Sequence, residues 1–225
     1  MQTKDLTFLK ELPFFHAGIY DNNIAFEHTV KAIDNAIKSN VGIQVDIKKT
    51  SDNEMICFAD DDLNRLIHVE DKTKTIDFEN LDYMAKFPIL KLSELLPLVN
   101  DQVPLLIKLS KNDLNYKLKV MDYLIQYKGR YAIVSDDIDT LKWLKKNYPK
   151  IIIGYKIDKN NMHRFHIFNK YDFMVVDVNL YDDKHIRKQR EEKFIIGSNI
   201  KDDDMYESKK DVYDNLICES QLDNR

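Results

Sequence analysis

Residues 104–155 read PLLIKLSKNDLNYKLKVMDYLIQYKGRYAIVSDDIDTLKWLKKNYPKIIIGY, and this stretch decides the fold class. Three short apolar runs, PLLIKL (104–109), YAIVS (131–135) and IIIGY (151–155), are separated by two amphipathic segments. The runs are nearly continuous in hydrophobicity, as strands buried on both faces of a parallel sheet are. The segment 113–127 is expected to be a helix with Leu114, Leu118, Met121 and Ile125 on one face. The segment 138–147 places Ile138, Leu141 and Leu144 together, with Asp136 or Asp137 as its N-cap. The unit is therefore β–α–β–α–β.

Working outward, the same alternation continues in both directions. Further apolar runs are LPFFH (12–16), GIQVDI (42–47), DFMVVDV (172–178), KFIIGS (193–198) and NLICE (215–219). A helix over 25–39 would carry Phe26, Val30, Ile33 and Ile37 on one face, and Asp202 suits the start of another near 202–210. Eight strands with helices between them predict an α/β fold, a (β/α)8 TIM-type barrel, over residues 1–225 as one domain. The run EMICFAD (54–60) follows too closely for a crossover helix. With the turn Ser51-Asp52-Asn53, it predicts a β-hairpin arm after the second strand, with Ala59 opposite Asp46. Only a few residues follow the last strand, so the segment 3–12, with Leu6, Leu9 and Leu12, is expected to fill the slot of the eighth helix.

Composition limits the functional classes. The 225 residues are 44% hydrophobic and 32% charged, with 12 Tyr and 11 Phe, which excludes a disordered or low-complexity chain. A formal net charge of -4 with no basic stripe argues against nucleic acid as a partner. Cys57 and Cys218 match no metal spacing or disulfide framework, so a reducing cytoplasm is the expected setting. No secretory signal or membrane-spanning run is read in the sequence.

In a barrel of this kind the site is built at the C-terminal ends of the strands. Those ends carry His16, Gln44 and Asp46, Ala59 on the hairpin arm, Lys108, Ser135 and Asp177. Asp46 and Lys108 are each a charge within an otherwise apolar strand. A buried carboxylate costs several kcal/mol unless paired, so the two are expected to pair at the barrel mouth.

The order of motifs resembles the glycerophosphodiester phosphodiesterase family, whose barrel is of the PLC-like phosphodiesterase type. HAG (16–18) resembles its opening His-Arg-Gly, and Glu27-His28 follow where the family has Glu-Asn. QVD (44–46) stands for its Glu-x-Asp, and FADDDLNR (58–65) keeps Asp60, Leu63 and Arg65 of its His-Asp segment. The passages SELLPLVNDQVPLLIKLS and SDDIDTLKWLKKNYPKIIIG, and the tail YDNLICES, continue the likeness over nearly the whole chain.

The resemblance implies two histidines acting as general acid and base, and three acidic residues holding a divalent cation that binds the phosphate. Carried over one residue at a time, His16 matches the first histidine, while Ala59 falls at the second. Ala17 replaces the phosphate-contacting arginine. Gln44 replaces one metal-binding Glu, Asp46 matches the second ligand, Lys108 falls at the third, and Ser110 replaces a lysine. The local formal charge would go from about -3 to zero, although Mg²⁺ and Ca²⁺ need several anionic oxygens. The expectation is a phosphodiesterase-like protein of impaired or absent catalysis and without a metal cofactor. It would bind a phosphorylated ligand through Asp46, Lys108, Gln44 and Glu27, or a protein partner. Its setting would be lipid metabolism.

Two alternatives are open. One is an active phosphoric diester hydrolase using Mg²⁺ or Ca²⁺, with His16 and a substitute base. His28 is the candidate base, although it reads first as a surface residue at a helix start. The other uses Lys108 as a Schiff-base nucleophile. His163 and His166, at i and i+3 without an HExxH context, read as structural.

Overall fold

The computed structural model describes residues 4–20, 26–163, 167 and 170–219. Nine strands are present among them. They are β1 (Phe14–His16), β2 (Gly42–Lys49), β3 (Met55–Cys57), β4 (Leu105–Leu109), β5 (Tyr131–Ser135), β6 (Ile153–Ile157), β7 (Phe173–Asp177), β8 (Phe194–Ile200) and β9 (Asn215–Cys218). All but β3 run parallel, in the order β1-β9-β8-β7-β6-β5-β4-β2, and β1 pairs with β2 to close the ring. The (β/α)8 barrel expected from the alternation is the fold observed.

The α-helices are α1 (Phe8–Glu11), α2 (Val30–Lys38), α3 (Asn64–Ile67), α4 (Phe78–Ala85), α5 (Leu92–Val99), α6 (Leu114–Leu124), α7 (Ile138–Asn147), α8 (Lys184–Gln189) and α9 (Asp203–Lys209). Their starts are written in short side-chain acceptors. Thr29, Asp113, Asp137 and Asp202 accept from the backbone N–H groups of Ala32, Tyr116, Thr140 and Met205. Each satisfies one of the donors that a helix start leaves without an intrahelical partner. No helix among the described residues is long and apolar enough to cross a membrane.

Side chains alternate across each strand, so every second residue faces the barrel axis. Phe14, Leu106, Ala132, Val134, Phe173, Val175, Ile196 and Ile217 fill the interior together with Leu9. The alternate positions, such as Ile43, Val45, Ile107 and Ile133, pack outward with the helices. Gly154 leaves room for a large inward ring: a Cβ there would stand 2.4 Å from the Phe173 ring. Two residues further along several strands, the inward position turns polar. Phe14 gives way to His16, Leu106 to Lys108, Gly154 to Lys156 and Ile217 to Glu219. The barrel thus has an apolar floor and a charged mouth.

Four expectations need correction. The segment 3–12, described from residue 4, does not occupy the eighth helix slot. Its single turn α1 puts Leu9 into the interior cluster as a plug on the floor, and Asn215 Nδ2 holds the carbonyls of Leu9 and Leu12 at 2.6 and 2.7 Å. The face of α6 is also different. Tyr116, Val120, Met121 and Leu124 are buried, while Leu114, Leu118 and Ile125 are exposed. Tyr116 decides this rotation, because its hydroxyl donates to the Ile47 carbonyl at 2.7 Å and draws its side of the helix inward. The helix expected over 25–39 starts only at Val30, leaving Phe26 and Val30 exposed. Finally, the hairpin arm is β3, antiparallel to β2, but its register differs by one residue. Asp46 O accepts from Phe58 N at 2.9 Å, so Phe58 and not Ala59 stands opposite Asp46. The turn has three central residues between Thr50 and Glu54, with Asn53 left-handed at φ 66°.

Candidate active site at the barrel mouth

Asp46 is the centre of the polar mouth. It lies on β2 with no solvent exposure, and its two carboxylate oxygens are both engaged by cationic side chains. Lys108, its register partner on β4, donates to Oδ1. His16, on β1, meets Oδ2 through Nε2 at 2.7 Å. The structure therefore brings together His16, Asp46 and Lys108. Burial opposes the charge on Asp46, but Lys108 and His16 outweigh it and hold its pKa well below the ordinary aspartate range. The same pairing keeps Lys108 above its ordinary value against the burial that would neutralise it.

A second carboxylate completes the environment of His16. Glu219, just past β9, faces His16 Nδ1 at 3.2 Å. Burial alone would depress the imidazolium, but the two carboxylates push its pKa up to about 9. At neutral pH both ring nitrogens carry protons and both donate. Glu219 is held below the usual glutamate range by His16, against the effect of burial. Glu219 was not singled out in the sequence, nor was Lys156. Burial and the Lys108 ammonium lower the pKa of Lys156. Lys156 is a charge within the apolar strand β6, the signal that marked Asp46 and Lys108, and Glu219 follows directly on the apolar β9.

His28 is not a surface residue. It is buried in a left-handed conformation at φ 57°, and its backbone N–H donates to Ala17 O at 2.9 Å. Ala17 is left-handed as well, at φ 62°, and its own N–H bonds Gln44 O at 2.8 Å. Such conformations carry strain that the surroundings must hold in place. His28 Nε2 accepts from the Asp46 backbone N–H at 3.1 Å, which fixes the neutral tautomer with its proton on Nδ1. Burial lowers the pKa of His28 to about 3. Its only basic nitrogen is occupied and out of solvent, so it cannot serve as the substitute base.

Among the remaining candidates, Glu27 is buried and gripped by Arg65, whose Nη1 and Nη2 reach its two oxygens while Nε donates to Asp60 Oδ2 at 2.6 Å. Gln44 is buried beside His16 in the β1–β2 pairing and does not line the mouth. Ala59 does, leaving open space where a longer side chain would project. Ser135 and Asp177 are structural. Ser135 Oγ donates to Leu109 O at 2.6 Å, and Asp177 accepts from Asn179 N and Asn199 Nδ2. His163 is exposed, and His166 lies outside the described residues. The cavity at the mouth measures about 550 Å³, lined by His16, Asp46, Lys108 and Glu219 with Ala59, Arg65 and others.

His16, His28 and Asp46 each bring a possible ligand atom within 4.8 Å of the others. Their commitments do not suit a hard divalent cation, which needs several free anionic oxygens. Both Asp46 oxygens hold cations, His16 is protonated, and the free nitrogen of His28 carries its hydrogen. Glu27 is taken by Arg65.

Comparison with known proteins agrees with this architecture. The family model described as the glycerophosphoryl diester phosphodiesterase family matches residues 16–205. A glycerophosphodiester phosphodiesterase from Thermotoga maritima superposes with a TM-score of 0.78 at 18% identity, over 94% of this chain and 95% of that one. An Oleispira antarctica phosphodiesterase, solved with the product sn-glycerol-3-phosphate, gives 0.75 at 15% identity over 93% and 94%. A glycerophosphodiester phosphodiesterase from Parabacteroides distasonis gives 0.72 at 12% identity over 92% of each chain. At these identities the structures establish the shared fold alone, and no curated protein matches the sequence. The match to the family model runs from His16 at the barrel mouth to the last helix, and on that ground the chain belongs to the glycerophosphoryl diester phosphodiesterase family.

Proposed function

We propose that the chain is a catalytically impaired member of the family that binds a phosphate-bearing ligand of the glycerophosphodiester type, without a metal ion. The observation that carries this reading is the Lys108 ammonium on Asp46, at the place where the resemblance puts a metal-binding carboxylate. Lys108 supplies fixed positive charge at the mouth, and His16, protonated between Asp46 and Glu219, adds a second cation. Together they can receive a phosphate oxygen where the related enzymes would use a cation. His16 can donate a proton to a leaving oxygen, but among the described residues no second histidine lines the cavity to take one from water. General acid–base catalysis contributes about 10²–10⁴-fold when both partners are present. The whole chain would act as one barrel unit. Its two cysteines, both buried and free, suit a reducing cytoplasm.

A second reading has one observation in its favour: His16 remains on the cavity wall in the protonated form that a general acid requires. It makes the chain an active, metal-dependent hydrolase with a base from outside this cluster. The Schiff-base reading is weakened, because Asp46 keeps Lys108 protonated rather than nucleophilic.

The deciding experiment is hydrolysis of a panel of glycerophosphodiesters with Mg²⁺, Ca²⁺ or EDTA, alongside calorimetric binding of sn-glycerol-3-phosphate. We expect no metal-dependent turnover, and binding that weakens at least tenfold in Lys108→Met. The variant Gln44→Glu/Ala59→His/Lys108→Glu should gain divalent-ion binding. EDTA-sensitive turnover by the unmodified chain would overturn the impaired reading, and unchanged binding in Lys108→Met would overturn the ligand site.

A further inference from the structure

A second concavity matches the mouth in size and is the more basic of the two. This separate cavity of about 570 Å³ lies where the ends of β2 and β4 meet the turn at 73–75. Three chain segments deliver lysines to it: Lys48 and Lys49 from the end of β2, Lys72 and Lys74 from that turn, and Lys111 from the connection after β4. Five lysines face two aspartates, Asp61 and Asp113, in a chain whose formal net charge is -4.

Both aspartates are already committed. Lys48 Nζ lies 2.6 Å from Asp61 and also donates to Ser110 Oγ at 2.8 Å, while Lys49 Nζ lies 2.5 Å from Asp113. Lys72, Lys74 and Lys111 have no carboxylate partner among the described residues. The backbone that carries Lys72 and Lys74 is nevertheless tied down. Thr73, between two of them, is buried and donates its N–H to Asp61 O at 3.1 Å. The backbone of Lys72 pairs antiparallel with that of Asp62, and Ser51 N bonds Ile76 O at 2.9 Å.

Like charges brought together on pinned backbone repel one another, and a cleft of one sign concentrates counter-ions. A singly charged carboxylate would answer one ammonium. A phosphate group, with several oxygens and up to two charges, can answer three at once, and lysines reach it as point charges from separate directions. We propose that this cavity is an anion site, distinct from the barrel mouth, for a ligand carrying a multiply charged phosphate group. Asp60 lines the mouth and its neighbour Asp61 lines the second cavity, so the 60–61 segment forms part of the wall between them. The inference stands on its own lysines and does not depend on what the mouth binds.

Pyrophosphate is the probe, with affinity read by calorimetry and location by amide chemical shifts. In Lys72→Ala/Lys74→Ala/Lys111→Ala the affinity should fall at least tenfold, with an unchanged circular dichroism spectrum. The corresponding triple arginine variant should retain binding. Lys108→Met, which tests the mouth, should leave the shifts around residues 72–74 and 111 in place. Equal affinity in the triple alanine variant, or shifts confined to the surroundings of Lys108, would overturn the proposal.

Vesicles of phosphatidylcholine with and without phosphatidic acid separate the two sources of such a group. Sedimentation only with phosphatidic acid, lost in the triple alanine variant, would support the site with a lipid headgroup as the source. Pyrophosphate binding without vesicle binding would support it with a soluble phosphate.

Discussion

Asp46 on β2 and Lys108 on β4 are register partners, and the Lys108 ammonium donates to a carboxylate that has no access to solvent. Three groups converge on Asp46: Lys108 and His16 on its carboxylate, and His28, which accepts from its backbone N–H. Burying a charge is tolerated only when such partners surround it.

Removing Lys108 should therefore be costly. Lys108→Met leaves Asp46 buried with His16 as its remaining cation, and we expect a loss of about 3 kcal/mol, from the usual cost of breaking a buried pair. Asp46→Asn/Lys108→Met should recover a substantial part of that loss. Urea denaturation of the two variants against the parent checks both statements.

The two histidines beside Asp46 should titrate in opposite senses. His16, raised from 6.5 to about 9, adds stability that is complete below pH 6.5 and is lost as pH rises through 9. That displacement corresponds to about 3 kcal/mol. His28, lowered from 6.5 to about 3, resists protonation in the fold, so stability also falls as pH drops below 6.5. The loss of the depressed Asp46 and Glu219 carboxylates deepens the acid limb. Stability should peak near pH 6.5. His16→Gln should flatten the alkaline limb, and His28→Gln should flatten part of the acid one. Urea unfolding from pH 4 to 10 reads both limbs, and a single plateau to pH 9 would contradict the assignment for His16.

Arg65 should resist conservative replacement. It holds the buried Glu27 with both terminal nitrogens and Asp60 with Nε, a fork that lysine cannot reproduce. Arg65→Ala leaves Glu27 buried without its cation and should cost about 2–4 kcal/mol, at or below the usual range because Arg65 is partly exposed. Arg65→Lys should restore less than half of it. Thermal and urea melts of the pair decide this.

Leu9 should behave as a core residue despite its place near the chain start. It is fully buried among Phe14, Phe173, Ile196 and Ile217 at the barrel floor. Leu9→Ala should destabilise by about 2–5 kcal/mol through lost burial and the cavity left behind. Leu12→Ala, outside that interior cluster, should cost less. Equal, small effects in both would contradict the plug.

The elements that were legible in the chain are those whose signal is local. Each apolar run became a strand, and the caps at Asp137 and Asp202 start the helices expected of them. Where the reading slipped, a contact from elsewhere settled the outcome. The α6 face follows the Tyr116 bond to Ile47, 69 residues away. The hairpin register follows the turn Ser51-Asp52-Asn53 with its left-handed Asn53, which sets Phe58 rather than Ala59 opposite Asp46. Both are differences of one residue or of one rotation, which periodicity alone does not resolve.

The charged mouth divides in the same way. Asp46 and Lys108 stood out from the chain alone, because a charge inside an apolar strand demands a partner wherever it folds. The pairing of His16 with Glu219 spans 203 residues and exists only once the last strand closes the barrel beside the first. The state of His28 depends on one backbone N–H of β2, and the lysine cavity on three separate segments meeting. Strand identity comes from the order of side chains along the chain, a property of neighbours in sequence. Protonation, tautomer and charge clustering come from neighbours in space, and only closure of the barrel supplies those.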